Sequence, residues 1–254
     1  MDVAVIGGTG EAGGAIVAAL ERREARPVLV GRSAPNDGRE HRRVDLATGD
    51  GLEAALSGVG VVVNAANAQR RAREVLVEGS ERLIAAAASA GAGHLISISI
   101  VGCERVPIGY YRAKAEQDRA IERSEVPWTI VPSAQFHSLL ASLFDFTRRL
   151  GWLPGGAARL RPVATSELAE RVADIVLGGP REFDAPVLGP RPRTLSELAH
   201  GYRDATGSRA LVAPAPLPGR LRRALLGGAL AGDPALPGSG LGFEDWLEAR
   251  EVRG

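Results

Sequence analysis

Residues 3–14 read Val3-Ala4-Val5-Ile6-Gly7-Gly8-Thr9-Gly10-Glu11-Ala12-Gly13-Gly14. Four apolar residues lead directly into a glycine-rich turn, and residues 15–23 after it have the composition of a helix. The order strand, glycine turn, helix is typical of a dinucleotide-binding unit, because glycines permit a tight turn and close approach of backbone to phosphate. The free amides of the helix start then face the anion. The pattern predicts a pyrophosphate site formed by Gly7, Thr9, Gly10, Glu11, Ala12 and Gly13.

The next apolar run, Pro27-Val28-Leu29-Val30-Gly31, predicts a second strand, and Arg32 and Ser33 follow it. NAD-binding proteins usually carry an acidic residue at this point, against the ribose 2′-hydroxyl. A guanidinium with a neighbouring hydroxyl suits a 2′-phosphate instead, because it forms charge-assisted bidentate hydrogen bonds. Arg32 and Ser33 therefore favour NADP(H) over NAD(H). The alternative is a surface arginine in an arginine-rich chain.

Two further strands are predicted from Arg43-Val44-Asp45-Leu46 and from the run at residues 59–67. Carboxyl ends of parallel strands form the ligand crevice in sheets of this kind. We therefore expect the cofactor to contact Asp45, Leu46, Ala65, Ala66 and Asn67. Asp45 would accept from the adenine amino group, or is instead a helix N-cap or a solvated acid. A long amphipathic helix at residues 74–90 and a fifth strand at residues 93–99 follow.

Lys114 is the only lysine of the chain, and the other 30 of its 31 basic residues are arginine. A retained lysine indicates a need for a compact ammonium on a flexible stem. Tyr110 lies four residues upstream in Tyr110-Tyr111-Arg112-Ala113-Lys114, a spacing that places both side chains on one face of a helix. A cation there would lower the pKa of a phenol and make Tyr110 a general acid/base. The alternative is a chance pair on a solvated helix.

Composition excludes several classes of function. The 254 residues, 45% hydrophobic, suffice for one large α/β domain or two small ones. A net charge of +1 without a basic stripe argues against nucleic acid. The lone Cys103 excludes an intramolecular disulfide, and the histidines lack ligand spacing, so no metal is expected; they are His41, His94, His137 and His200. With no apolar run of about 18 residues and no room for a signal peptide, we expect a cytoplasmic protein without a membrane partner.

Taken together, the motifs resemble the short-chain dehydrogenase/reductase superfamily, in its atypical NmrA-like branch of NAD(P)H-binding proteins. The resemblance rests on Gly7-Gly8-Thr9-Gly10 with Gly13, on Arg32, Val44-Asp45-Leu46, Ser99-Ile100-Val101-Gly102 and Tyr110 with Lys114, and on Val126-Pro127-Trp128-Thr129-Ile130-Val131 followed by Ala134-Gln135-Phe136. The latter two runs are similar to the sixth strand and the nicotinamide-side loop of that branch. The resemblance implies a proton relay in which Tyr110 protonates a carbonyl oxygen, Lys114 holds the ribose and Ser99 orients the substrate.

The expected architecture is a doubly wound parallel Rossmann sheet in a single domain, residues 1–254. Residues 1–135 would form the nucleotide-binding core and residues 136–254 a C-terminal substrate lobe. In this lobe we expect helices at residues 138–150 and 166–177, a helix opened by a capping box at Thr194 and closed by Gly207, and a terminal helix from Phe243. Residues 214–240, dense in proline and glycine, predict a lid with one short helix, or a disordered linker.

The function expected from this reading is NADP(H)-dependent reduction of a carbonyl or an activated double bond in a small apolar molecule, with Tyr110 as proton donor. One alternative is a redox-neutral isomerase or lyase that uses the same tyrosine beside a structural dinucleotide. A second alternative is a regulator that senses NADP(H) without turnover. The identity of the small-molecule substrate and the oligomeric state are left open.

Overall fold

The structure is a computed structural model that describes residues 1–251. Contacts within the chain divide it into two compact units. The first consists of Met1–Ser99, Gly109–Pro132 and Leu168–Ala185. The second consists of Ile100–Ile108, Ser133–Glu167 and the chain from Pro186 onward.

Strands and helices alternate through the first half of the chain. The strands within residues 1–251 are β1 (Asp2–Ile6), β2 (Arg26–Gly31), β3 (His41–Arg43), β4 (Val61–Asn64), β5 (His94–Ile100), β6 (Trp128–Ser133), β7 (Trp152–Gly155), β8 (Arg159–Leu160), β9 (Glu182–Phe183), β10 (Arg193–Thr194) and β11 (Leu211–Pro214). The α-helices there are α1 (Glu11–Arg22), α2 (Leu52–Leu56), α3 (Gly79–Ser89), α4 (Gly109–Glu122), α5 (His137–Arg148), α6 (Thr165–Gly178), α7 (Leu195–Thr206), α8 (Gly219–Leu226) and α9 (Phe243–Glu251). Over this described range, every helix is too short or too polar to cross a membrane.

The first unit is built on a seven-stranded sheet in the order β3-β2-β1-β4-β5-β6-β9. β1 lies in parallel register between two neighbours, with Val3 opposite both Pro27 of β2 and Val61 of β4. The central strands are continuous valine-rich runs because helices cover both faces of the sheet. The predicted doubly wound parallel fold is confirmed. Strand order reverses between β1 and β4, which is where ligands bind in such sheets.

The third strand differs from its prediction. It spans His41–Arg43 and pairs with Leu29–Gly31 of β2, so it ends where the predicted strand was to begin. After Arg43 the chain turns, and Val44 and Leu46 are buried in the hydrophobic core instead of extending the sheet. The apolar residues at positions 44–46 therefore pack in the core. The polar edge strand is held by backbone pairing with β2 and by the Arg42 guanidinium, which donates to the carbonyls of Ala55 and Ser57.

The helix predicted at residues 74–90 begins with a π-helical segment, Arg73–Glu78, which continues directly into α3. The change of pitch occurs at Gly79, where a Cβ would lie 2.9 Å from the Leu46 carbonyl oxygen. Glycine at this junction lets the helix approach the turn after β3. The wider π turn, a rare feature that is frequent near functional sites, was not predictable from hydrophobic periodicity.

The second unit contains α5, α7, α9 and two small sheets, β10-β8 and β11-β7. Predicted capping features are confirmed, since Thr194 and Glu197 cap α7 reciprocally and Gly207 ends it with a φ of 61°. The predicted terminal helix is also confirmed as α9, in which Phe243 is buried and stacks with Trp246.

Residues 214–240 are anchored to the body of the second unit. The buried Arg161 donates to the Leu236 carbonyl at 2.9 Å, and Arg105 donates to the Ala229 carbonyl at 2.7 Å. The segment contains one short helix, α8, as expected. The structure therefore places here an ordered strap with backbone anchors and not a disordered linker.

A buried histidine opens β5. His94 is 3% exposed, and its Nε2 lies 2.8 Å from Thr129 Oγ1. Burial, assisted by the positive charge of Arg181, lowers the pKa of His94 to about 4. The folded protein therefore keeps this ring neutral over a range in which the unfolded chain, with a pKa near 6.5, binds a proton. Because the folded-state pKa is depressed, the contribution of His94 to the free energy of unfolding is fully present above about pH 6.5 and is lost as the pH falls toward 4.

We expect the wild-type free energy of unfolding to fall between pH 7 and pH 4 by about 3 kcal/mol more than that of His94→Gln, at about 1.4 kcal/mol per pH unit between the two pKa values. Glutamine keeps a hydrogen-bonding group near Thr129 but does not titrate. Urea denaturation of both proteins at several pH values measures the difference. Parallel pH profiles would show that His94 does not contribute.

Candidate functional site

The turn between β1 and α1 is compact because it lacks side chains. Gly7 has a φ of 76°, a conformation that L side chains rarely adopt, and its amide donates to the Val30 carbonyl of β2 at 2.8 Å. A Cβ on Gly13 would overlap the Gly7 carbonyl oxygen and lie 2.9 Å from the Gly8 Cα. Glycine at position 13 thus lets α1 start directly against the end of β1.

The N-terminus of α1 is open to an anion. Gly10 is the N-cap in extended conformation, is exposed, and offers no side chain to cap the helix. The first-turn amides belong to Glu11, Ala12 and Gly13, and amides at this position point out of the N-terminal end of a helix. Together with the positive end of the helix dipole they suit a phosphate. The cradle therefore fits the pyrophosphate of a dinucleotide, as the sequence predicts, with the exposed Thr9 at its rim.

Arg32 and Ser33 lie next to this turn. Both are exposed, directly after β2, whose Val30 carbonyl accepts from Gly7. Arg39 and Arg42 form ion pairs with Asp37 and Glu40, whereas Arg32 has no salt bridge within residues 1–251. Its guanidinium is therefore available to an external anion.

Asp45 and Leu46 occupy the turn after β3. One carboxylate oxygen of Asp45 accepts from the Ala47 amide at 2.9 Å, and its carbonyl accepts from Gly49 at 2.7 Å. The Asp45 side chain therefore stabilises the turn itself through one of its two carboxylate oxygens. Leu46 is 7% exposed and belongs to the hydrophobic core, so its side chain has a packing role.

The loop after β4 contacts the glycine turn. A Cβ on Gly7 would lie 3.0 Å from the Ala65 carbonyl oxygen and 3.1 Å from the Ala66 Cα, so no side chain separates the two segments. Asn67, the next residue, is exposed and its Oδ1 accepts from the Tyr110 hydroxyl at 2.9 Å. The three residues predicted from the end of this strand therefore connect the glycine turn to Tyr110.

Tyr110 and Lys114 both lie on α4, as predicted. Tyr110 packs against the cluster formed by Leu76, Val77 and Ala113, and it remains partly exposed. Lys114 is 5% exposed, and its Nζ donates to the Ile98 carbonyl of β5 at 2.5 Å. The helix thus presents its tyrosine at the loop after β4 and its lysine at the carboxyl-terminal half of β5.

Ser99 is buried near the end of β5, with 3% of its surface exposed. Its Oγ donates to Asp118 Oδ2 on α4 at 2.5 Å. This serine is therefore tied to the same helix as Tyr110 and Lys114, one strand position after Ile98, which accepts from the ammonium. All three predicted catalytic residues accordingly come from two adjacent elements, β5 and α4.

Sequence reasoning missed three buried polar residues behind Lys114. Gln117 Oε1 accepts from Lys114 Nζ at 2.6 Å, and Gln117 Nε2 donates to Ser80 Oγ at 2.8 Å. Asn64 Nδ2 also donates to Ser80, at 3.2 Å. The i, i+3 spacing of Lys114 and Gln117 was the available signal. The contact with Ser80 spans 37 residues and has no counterpart in local sequence.

A family model described as NAD(P)H-binding matches residues 7–139, just over half of the chain. The match covers the glycine turn, the loop after β4, and α4 with Tyr110 and Lys114. The protein therefore belongs to this NAD(P)H-binding family, which confirms the assignment suggested by the sequence motifs. No curated protein sequence matches the chain significantly.

Solved structures share this fold over nearly their whole length. A nucleoside-diphosphate-sugar epimerase from Staphylococcus aureus is 18% identical with a TM-score of 0.81, covering 98% of this chain and 100% of its own. The triphenylmethane reductase of Citrobacter sp., complexed with NADP(H), is 18% identical with a TM-score of 0.78, and the match covers 98% of this chain and 99% of the reductase. An NADPH-dependent quinone oxidoreductase from Escherichia coli is 16% identical with a TM-score of 0.81, and the match covers 99% of this chain and 100% of the oxidoreductase. At such identities the likeness establishes the fold.

The glycines of the turn are expected to respond differently to substitution. Gly13→Ala should destabilise the fold by about 1 to 3 kcal/mol because its Cβ overlaps the Gly7 backbone. Gly10→Val should remain folded, since Gly10 has a φ of −79° and its Cβ would meet only the Gly7 carbonyl oxygen, at 3.2 Å. It should nevertheless lose dinucleotide binding, because the branched side chain occupies the space beside the first-turn amides.

Gly14→Ala is the matched control, because its Cβ would make an ordinary contact at 3.7 Å and alanine favours a helix interior. It should bind NADPH like the wild type and be at least as stable. Thermal denaturation and calorimetric titration with NADPH distinguish the three variants. Wild-type NADPH affinity in a folded Gly10→Val protein would contradict this phosphate site.

Proposed function

We propose that this protein is an NADP(H)-dependent oxidoreductase that reduces a carbonyl or an activated double bond of a small apolar molecule, with Tyr110 as proton donor. The observation that carries the proposal is the continuity between the glycine turn and the tyrosine. Gly7 lies directly against Ala65 and Ala66, and Asn67 of the same loop accepts from the phenol. The phosphate cradle and a candidate general acid are therefore joined by three consecutive residues.

The preference for NADP(H) rests on Arg32 and Ser33. An exposed guanidinium that forms no ion pair with residues 1–251, beside a hydroxyl, is suited to a dianionic 2′-phosphate. The second strand also lacks the acidic residue that would accept from a ribose 2′-hydroxyl. Asp45 uses one carboxylate oxygen for its own turn, and we propose that the other accepts a hydrogen bond from the adenine amino group, with the neighbouring Leu46 contacting the cofactor through its backbone.

The bound cofactor would supply the hydride. Lys114 would hold the nicotinamide ribose with an ammonium already oriented by the Ile98 carbonyl. Its positive charge, one helical turn from Tyr110, would favour the ionised phenol and so make proton donation to a substrate oxygen easier. Ser99 would orient that oxygen by transferring its one hydroxyl hydrogen bond from Asp118 to the substrate. The proton lost by Tyr110 returns from solvent, which reaches the partly exposed phenol.

The substrate lobe is proposed to be residues 136–254, with residues 1–135 as the nucleotide-binding core of a single functional domain. Quinones and triphenylmethane dyes are the first substrates to test, since structurally similar reductases act on them. Both are conjugated molecules with an electrophilic centre. Loss of NADPH absorbance with either class would establish reductase activity. Tight NADPH binding without turnover of a broad carbonyl, quinone and enone panel would favour a sensor instead.

Cofactor preference should depend on Arg32. We expect NADPH to bind at least about tenfold more tightly than NADH, because one charge-assisted hydrogen bond contributes about 1.5 to 3 kcal/mol. Arg32→Ala should remove most of this preference. Arg26→Ala is the matched control, since Arg26 is an exposed arginine at the opposite end of β2. Calorimetric titration with both cofactors tests this. Equal affinities in the wild type would exclude the assignment.

Tyr110→Phe should lower turnover by about 10²- to 10⁴-fold, the usual contribution of general acid/base catalysis, with little change in NADPH affinity. Lys114→Arg should lower both turnover and NADPH affinity, because a planar guanidinium does not fit the buried position of the ammonium. Tyr111→Phe, the adjacent tyrosine on α4, is the control and should retain activity. Steady-state kinetics and NADPH titration separate these effects. Wild-type turnover by Tyr110→Phe would refute the proton relay.

A further inference from the structure

A chain of buried amides and a hydroxyl lies behind Lys114. Lys114, Gln117, Ser80 and Asn64 are all at most 5% exposed. An ammonium has only donors, so the oxygen of the Gln117 carboxamide must face Lys114 and its nitrogen must face Ser80. The orientation of Gln117 is therefore fixed by chemistry.

The same logic orients Asn64. The Ala66 backbone amide can only donate, so Asn64 Oδ1 accepts from it, at 3.2 Å, and Asn64 Nδ2 donates to Ser80 Oγ. Ser80 Oγ therefore accepts two hydrogen bonds, one from the Gln117 side-chain amide and one from the Asn64 side-chain amide. A continuous hydrogen-bonded path thus runs from the Lys114 ammonium to the loop after β4, which contacts the glycine turn.

We infer that Gln117 is a positioning residue that sets the place of the Lys114 ammonium, and that Ser80 and Asn64 connect this position to the loop formed by Ala65, Ala66 and Asn67. The inference rests on the proposed role of Lys114 in holding the cofactor. Lysine has four rotatable bonds, so its ammonium does not adopt one position unless acceptors hold it. Ile98 supplies one acceptor from β5 and Gln117 the second from α4.

Each member of the path is satisfied by another, a condition under which buried polar networks rigidify a site. Removal of the Gln117 acceptor would leave the ammonium with fewer fixed partners, and the lysine would adopt other rotamers. Binding of the cofactor would then have to restore the position, at a cost in affinity. Gln117 acts in this way without touching the ligand itself.

Gln117→Met, which has a similar length and no hydrogen-bonding amide, should weaken NADPH binding by about tenfold or more. Gln117→Glu keeps an acceptor for Lys114, and the Ser80 hydroxyl can rotate to donate to the carboxylate. It should therefore bind NADPH within about threefold of the wild type. Rescue by glutamate with loss by methionine is the pattern of a positioning acceptor.

A double-mutant cycle separates positioning from a general structural effect. Gln117→Met should have almost no further effect, less than about twofold, on NADPH affinity when Lys114 is already methionine. Ser80→Ala should repeat this pattern with a smaller loss, and it replaces Gln117→Met if that variant does not fold. Thr147→Val is the control, because Thr147 carries another buried hydroxyl within a helix. In the described part of the chain this hydroxyl is bonded only to the backbone carbonyls of its own helix, and its loss should leave NADPH affinity unchanged.

The outcomes of these experiments distinguish an error in the proposed role of Lys114 from an error in the positioning role of Gln117. If Lys114→Met binds NADPH like the wild type, the proposed role of Lys114 is wrong. If Lys114→Met loses affinity while Gln117→Met does not, or if the two losses add, the positioning role of Gln117 is wrong and the proposed function stands. Affinity loss in Thr147→Val equal to that in Ser80→Ala would also overturn the inference, because it would show a nonspecific effect of lost buried hydroxyls.

Discussion

The contact between Gly7 and Gly13 is the constraint on which the site depends. Because Gly13 has no Cβ, the first turn of α1 lies directly on the backbone of the Gly7 turn. This contact orients the helix so that its first amides open beside the carboxyl end of β1. The hydrogen bond from Gly7 to Val30 then fixes the turn relative to β2, and so relative to Arg32. The proposed phosphate site and the proposed discrimination between cofactors therefore both depend on this turn, in which there is no room for side chains.

Burial of the only lysine is the second constraint. Removing an ammonium from water is costly, by several kcal/mol, unless fixed acceptors replace the solvent. Lys114 obtains these acceptors from Ile98 and Gln117, on two different elements. Three donors on a single nitrogen suit acceptors that converge on one point, whereas a guanidinium spreads its donors over a plane. This geometry explains why a chain with 30 arginines keeps one lysine here.

The parts of the structure that were predictable from sequence are those with local causes. The βα unit follows from an apolar run and its glycines, and the caps of α7 follow from the chemistry of Thr194, Glu197 and Gly207. The predictions from sequence were wrong where contacts between residues far apart in the chain determine the local structure. β3 is a short polar edge strand, stabilised by pairing with β2, and the apolar residues beyond it pack in the core. The π-helical segment ends where Gly79 meets Leu46, 33 positions earlier in the chain.

The same distinction applies within the site. Tyr110 and Lys114 were predictable because four residues of helix suffice to align them. Gln117 acquires its role only through Ser80, on a different helix, and Ser80 through Asn64 at the end of β4. Such a network has no local periodicity. It also satisfies every amide that it buries, which is the condition for polar groups to order a core without a large energetic cost.

The loop after β4 joins the two halves of the site. Ala66 is bonded to Asn64, at one end of the buried path, and Asn67 accepts from Tyr110 on the exposed side. A phenol has one hydrogen to donate, so a substrate oxygen that takes it must displace Asn67. The exposed amide of Asn67 can then turn to solvent at little cost, whereas the buried amide of Asn64 cannot, since it would lose its partners. The loop therefore combines an inner side that is fixed by buried hydrogen bonds with an outer side whose bond to Tyr110 is exposed, as the proposed roles of Lys114 and Tyr110 require.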